Sequence, residues 1–333
     1  MRDDAPVTGE RVRISVLDTS PIVAGSTARE ALRRTVDLAV LADRLGYLRY
    51  WSAEHHGMAG VASTSPAVLA TRIADATQRM RIGSGGVLLV HHAPIVVAEQ
   101  FGTLAAFHPG RIDLGIGRGP GGSPRAAAAV CPDWEANVGG FPGRLRELLG
   151  HLDQTQPVRA IPAIGNTPAV WLLGSTTASA RLAATLGLAY AFARHLNPGG
   201  AAAALRTYRT EFRPGRIPAP STVVSVAVLV AETDEQAAWL TGPTRLKTML
   251  RRRGERILLP TPEEAAAWPE TLPPQDGLVA GSPDTVRQRL QAILSETGTA
   301  ELMFTTPVHG HPDRRRSAEL IAELAPRLTV QPS

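Results

Sequence analysis

Residues 170–193 read Val170-Trp171-Leu172-Leu173-Gly174-Ser175-Thr176-Thr177-Ala178-Ser179-Ala180-Arg181-Leu182-Ala183-Ala184-Thr185-Leu186-Gly187-Leu188-Ala189-Tyr190-Ala191-Phe192-Ala193. This stretch is one strand–helix–strand unit. Val170 to Leu173 is a short apolar run stopped by Gly174, Ala178 to Leu186 has a helical pattern, and Leu188 to Ala193 is a second apolar run. The same alternation extends in both directions. Strands are expected over Val12–Leu17, Tyr47–Trp51, Met80–Leu89 and Arg111–Ile116 before this unit, and over Thr222–Val230 and Glu301–Thr306 after it. The first helix opens at Thr27, with Glu30 three residues on as a capping box, and closes at Gly46. Its inner stripe is expected to include Leu32, Val36, Ala39 and Ala42. Further helices start at Ser65-Pro66 and cover Pro94–Phe107, Leu145–Leu152 and Pro283–Thr297. Gly117–Gly143 reads as a long irregular loop. A Pro- and charge-rich insertion is expected over about 242–276, between the seventh strand and the last helices.

Eight such units in 333 residues predict an α/β fold, a (β/α)8 barrel forming one domain over residues 1–333; an open doubly wound sheet is the alternative. In a barrel the active site lies where strands hand over to helices, so the loops after the strands are the places to search.

Composition narrows the function. Lys plus Arg number 35 against 30 acids, and the densest basic runs, Arg251-Arg252-Arg253 and Arg314-Arg315-Arg316, read as solvated helix faces rather than nucleic-acid patches. Aromatic residues are only 5%, too few for base-stacking platforms. The single cysteine, Cys131, excludes an internal disulfide framework and a cysteine-rich zinc site. The polar first ten residues lack signal-peptide character, and no 18-residue apolar run occurs, so a soluble cytoplasmic protein is expected, with no membrane partner.

Four strand ends carry chemistry-bearing residues. Glu54-His55-His56 follows the second strand; it reads as a hydrogen-bonded turn, as an acid–base or cofactor group, or, with His91 and His92, as a metal site, although no zincin-like spacing supports a metal. Ser84-Gly85-Gly86 interrupts an apolar strand, as a bulge or as a close backbone approach to a ligand. Gly110 to Gly119 ends a strand in the glycine-flanked Arg118, which suits an anionic group. Ser175, Thr176 and Ser179 open a helix, either as its N-cap or as a phosphate site. On neighbouring strands of a barrel, Arg118 and this turn converge.

Together with Ser15-Val16-Leu17-Asp18, Tyr50-Trp51-Ser52-Ala53-Glu54-His55-His56, Gly83 to Leu89, Ala98-Glu99-Gln100-Phe101, Trp171 to Ser175 and Leu278 to Pro283, these motifs give a resemblance over nearly the whole chain. The sequence resembles the bacterial luciferase-like, flavin-dependent monooxygenases, in their single-gene oxidoreductase branch. The resemblance implies a barrel that binds reduced FMN, forms a C4a-peroxyflavin with O2 and oxygenates a small organic substrate. It also implies a homodimer and a separate NAD(P)H–flavin reductase as partner. By residue, it places Gly85-Gly86 on the family's non-prolyl cis peptide beside the flavin ring, and Arg118, Ser175, Thr176 and Ser179 on the flavin phosphate. It places His55 on the reactive histidine, with Glu54 and His56 beside it. Where the light-emitting members carry a cysteine next to the phosphate arginine, this chain has Gly117, so light emission is not expected. A deazaflavin (F420) dehydrogenase on the same fold and a non-catalytic flavin-binding protein are the competing functions.

Overall fold

The computed structural model describes residues 11–330; the polar opening stretch, residues 1–10, lies outside the described residues. The chain alternates strand and helix from β1 (Arg13–Asp18) and α1 (Ala28–Arg44) through β2 (Arg49–Ser52), α2 (Pro66–Ala76), β3 (Arg81–Ser84), β4 (Val87–Leu88), α3 (Pro94–Phe107) and β5 (Ile112–Gly117). Three helices follow, α4 (Pro124–Val130), α5 (Trp134–Gly139) and α6 (Phe141–Leu152). Then come β6 (Ala169–Gly174), α7 (Thr177–Thr185), β7 (Ala189–Ala193), α8 (Ala201–Glu211) and β8 (Thr222–Val230). The last part holds α9 (Asp234–Arg252), α10 (Pro262–Ala266), β9 (Leu278–Gly281), α11 (Pro283–Thr297), β10 (Glu301–Thr305) and α12 (His311–Leu324).

All strand pairs of the sheet are parallel, in the order β10-β1-β2-β3-β5-β6-β7-β8, and β10 pairs with β8 to close the ring. The closed eight-stranded parallel barrel wrapped by helices is the (β/α)8 fold. Side-chain alternation sorts the strands into two faces. Tyr190 and Phe192 point out toward the helices, whereas Ala189 and Ala191 join Leu17, Trp51, Trp171, Val223 and Met303 inside the barrel. Each large side chain buried on the outer face contributes about 1.5–3 kcal/mol.

Local signals set the boundaries. Thr27 and Glu30 form the reciprocal cap of α1, with Glu30 N–H donating to Thr27 Oγ1 at 3.2 Å and Thr27 N–H to Glu30 Oε2 at 3.1 Å. On this helix the buried stripe is Ala31, Thr35, Leu38, Ala39 and Ala42; Leu32, expected inside, is exposed. The third expected strand is not continuous. Between the paired residues Gly83↔Asp113 and Val87↔Ile116, this strand uses three residues where β5 uses two, and the extra one is accommodated at Gly85-Gly86, joined by a cis peptide bond.

Three further expectations are corrected. The 117–143 segment is not irregular: Ser123 caps α4 through Ala126 N–H at 3.2 Å, Pro124 sits at its first position, and the alanine run that follows propagates the helix. The insertion boundary expected near residue 242 falls inside α9, which runs through Pro243. Beyond it, β9 pairs with the end of β8, from Ala227↔Leu278 to Val230↔Gly281, outside the closed ring. Arg314 is not on a solvated face; it is 5% exposed and donates to Asp18 Oδ1 at 2.6 Å, while Thr35 and Tyr50 hydroxyls donate to Oδ2. Among the described residues no helix is long and apolar enough to cross a membrane.

Candidate functional site

At the C-terminal ends of the strands the barrel opens into a cavity of about 870 Å³. Its wall brings together Glu54 and His55 after β2, Gly85 and Gly86 between β3 and β4, Arg118 after β5, and Ser175, Thr176 and Ser179 after β6. His56 is not among the lining residues. The convergence of Arg118 with the α7 N-terminus follows from the β5–β6 pairing, Ile116↔Leu172, which carries both strands to the same rim. Leu17, Trp51, Leu172, Ala191, Val223 and Met303 give the deeper wall an apolar character.

The glycine pair is required by its surroundings. A Cβ on Gly85 would lie 2.4 Å from Leu17 Cδ1 and 3.1 Å from Trp51 Cβ, and one on Gly86 would lie 2.8 Å from the Gly115 carbonyl oxygen. Gly86 therefore sits against the backbone of β5, while Gly85 faces inner side chains that line the cavity.

The histidine pairs act as staples. Glu54, 2% exposed, accepts from His56 Nε2 at 2.9 Å and His92 Nε2 at 2.6 Å on one oxygen, and from Leu88 N–H at 2.9 Å on the other. Burial alone would raise the Glu54 carboxyl; the hydrogen bond and charge of His92, with Leu88 and His56, outweigh it and hold it below the usual carboxylate range. His56 N–H donates to the Gly121 carbonyl at 2.9 Å, and His91 Nε2 lies 2.9 Å from that of Pro120. The acid and three histidines thus tie β4 and the loop after Arg118 to the end of β2. Among the described residues no group of three His, Cys, Asp or Glu side chains is placed to hold a metal ion.

His55 differs from its neighbours. Its backbone N–H is bonded to the Ser63 carbonyl at 3.0 Å, but its Nδ1 is buried without a partner. Burial pushes its pKa down, Glu54 opposes this, and His56 adds to the lowering. At the helix start, Thr176 and Ser179 are occupied with one another in a reciprocal cap: Ser179 N–H donates to Thr176 Oγ1, and Thr176 N–H to Ser179 Oγ, both at 3.3 Å. The Ser179 hydroxyl also lies 2.9 Å from Tyr190 Oη. Arg118 is exposed at the rim.

The sequence reading missed His195. This imidazole lines the same cavity two residues beyond β7, with Nδ1 2.7 Å from Ser225 Oγ of β8. The available signal was its place on the inward register of Ala189 and Ala191.

The family model for luciferase-like monooxygenases matches residues 12–301. The chain belongs to the luciferase-like monooxygenase family. A luciferase-like monooxygenase of Escherichia coli K12 is 39% identical, covering 97% of this chain and 99% of the relative. The N-acetyl-S-alkylcysteine monooxygenase of Bacillus subtilis is 32% identical, covering 94% of this chain and 98% of its own. Among solved structures, apo-MsnO8 superposes with a TM-score of 0.90 at 40% identity, covering 96% of this chain and 100% of that one. Two further solved structures share the fold: the oxygenating constituent of 3,6-diketocamphane monooxygenase from Pseudomonas putida, solved with FMN (TM-score 0.73, 20% identity), and an F420-dependent secondary alcohol dehydrogenase (TM-score 0.65, 13% identity). As a luciferase-like monooxygenase, the chain is an oxidoreductase.

Proposed function

We propose that this luciferase-like monooxygenase uses reduced FMN and O2 to oxygenate a small organic molecule, with the reduced flavin delivered by a separate NAD(P)H–flavin reductase. The observation that carries the reading is a single cavity in which an anion cradle, a Cβ-free backbone segment and an imidazole with an orphaned nitrogen face one volume. This set fits a flavin mononucleotide: a doubly charged phosphate, a flat ring and a polar edge.

Arg118 pairs with the phosphate through its guanidinium fork. Ser175 and the first backbone N–H groups of α7, at the positive end of the helix, complete the cradle, with Thr176 and Ser179 fixing the start of that helix. Gly85 lets a flat ring approach the strand where any side chain would already strike Leu17. Bound as reduced FMN, the group supplies both electrons that take one atom of O2 to water as the other enters the substrate. His55, kept neutral near pH 7 by burial, takes or holds a proton in that space. Glu54 and His56 position it and the loop rather than exchange protons themselves. The two ends of the 117–143 segment, Gly117 to Gly119 with Gly121, and Phe141-Pro142, line the cavity, and the segment between them is the proposed cover that excludes water.

A homodimer is the proposed assembly, as the family resemblance implies. Sedimentation equilibrium tests it, and a monomer at micromolar concentration would contradict it. The catalytic reading is tested by single turnovers with reduced FMN and ¹⁸O₂ against a panel of small thioethers, ketones and aromatics. Labelled oxygen in an organic product is the expected result. Tight binding of F420 with hydride transfer and no oxygen uptake would establish the dehydrogenase instead, and flavin binding without any product would leave a storage protein.

A further inference from the structure

His195 is held at one ring nitrogen, Nδ1, by the Ser225 hydroxyl. Both contacts of Ser225 Oγ are hydrogen bonds in the arrangement where it donates to the Phe192 carbonyl at 3.3 Å, and we take that arrangement. Toward His195 Nδ1, 2.7 Å away, Ser225 Oγ can then only accept, and Nδ1 carries the imidazole hydrogen. Nε2 is left as a bare acceptor on a ring that lines the cavity. Burial pushes the His195 pKa down to about 4, and the nearby His55 adds to the lowering. The ring is a standing acceptor near neutral pH, not a switch. The cavity wall is apolar at Leu17, Trp51, Val223 and Met303 and also carries the hydroxyls of Thr19 and Thr305. A hydrogen-bond donor carried in among the apolar side chains must find one of a small set of acceptors, His195 among them.

We propose that His195 Nε2 accepts a hydrogen bond from an N–H or O–H group of the molecule bound in this cavity, which makes His195 a specificity-determining residue. A site built around such a bond rejects analogues that lack the donor far more strongly than apolar fit alone can. The inference rests on the flavin-and-substrate reading of the cavity for the source of the donor, the flavin or the organic substrate. Its Nε2 geometry stands apart from that reading.

The test compares wild type, His195→Leu, His195→Gln and Ser225→Ala, with thermal melts to establish folding. In ¹⁵N spectra of histidine-labelled protein, one imidazole is expected to be protonated at Nδ1 and bare at Nε2, absent from both His195 variants and mixed between tautomers in Ser225→Ala. Calorimetry uses two probes: riboflavin, and N-acetyl-S-methylcysteine, a small thioether with an amide N–H. The probe that supplies the donor should shift the Nε2 signal and bind His195→Leu about tenfold more weakly, with His195→Gln recovering most of the loss through its carbonyl. A response to riboflavin alone assigns the donor to the flavin, and a response to the thioether alone assigns it to the substrate; either supports the proposal. A protonated Nε2, or equal affinities of all four proteins for both probes, overturns it. Failure of the wild type to bind FMN and riboflavin defeats the flavin reading by itself, and His195 is then decided by the thioether. Should His195→Leu not fold, Ser225→Ala, which leaves the ring in place, carries the same comparison.

Discussion

The two ends of the barrel are built from the same inward-facing register and have opposite characters. At the N-terminal end, Asp113 accepts from Arg49 and Arg81, each at 2.7 Å, and from Trp51 Nε1 at 3.0 Å. Glu301 accepts from Arg49 Nε at 2.8 Å and Ser15 Oγ at 2.6 Å, and the Arg49 guanidinium stacks 4.6 Å from the Trp171 ring centroid. None of these side chains is among those with a buried polar atom left without a partner. The C-terminal end keeps such atoms in His55 Nδ1 and His91 Nδ1, both buried and unbonded, and Arg118 is exposed there. A charge network with every group matched closes one end, and unsatisfied groups around a cavity mark the other as the end that binds.

This contrast is broken most severely from the closed end. Asp113→Ala leaves Arg81 without its acid and the nearly buried Arg49 with Glu301 alone. A loss of about 3–5 kcal/mol in unfolding free energy is expected, read by urea denaturation. A loss under about 1 kcal/mol would show that the network is not what seals that end.

At the open end, His55→Ala should leave stability nearly unchanged and spoil chemistry. Oxygen is still consumed, but the ratio of product to H2O2 in single turnovers is expected to fall about 10²-fold, with FMN affinity kept. An unchanged ratio returns His55 to the same bracing role as His56.

A smaller effect separates the ends by pH. The folded protein refuses a proton at His195 until about pH 4, while the unfolded chain takes one near pH 6.5. As pH falls through that window the unfolded state binds the extra proton, so His195 costs stability there and nothing above it. His195→Gln should therefore be relatively more stable than wild type at pH 5.5 than at pH 7.5, by about 1 kcal/mol. Parallel stability curves for the two proteins would place the ring in contact with water.

Much of this was legible in the sequence because parallel strands buried on both faces read as unbroken apolar runs between caps such as Thr27–Glu30. Arg118 and Ser175 were legible as a pair only through barrel topology, which brings together loops 57 residues apart. Other features were hidden for identifiable reasons. Arg314 looks like its two exposed-type neighbours, and the acid that draws it inside, Asp18, is 296 residues away. The Ser123-Pro124 start signal of α4 was masked by the glycines and prolines around it. His195 lies past the end of its strand, where the alternation of small residues still applies but no motif announces it.

The central claim, that the open end holds the phosphate of a flavin mononucleotide at Arg118 and the start of α7, has one direct test. Calorimetric titration of wild type and Arg118→Ala with FMN and with riboflavin separates the phosphate from the ring. The expected result is an FMN affinity lower by ten- to a hundredfold in the variant, about 1.5–3 kcal/mol, with riboflavin binding unchanged. Equal losses for the two flavins, or none for either, would contradict it.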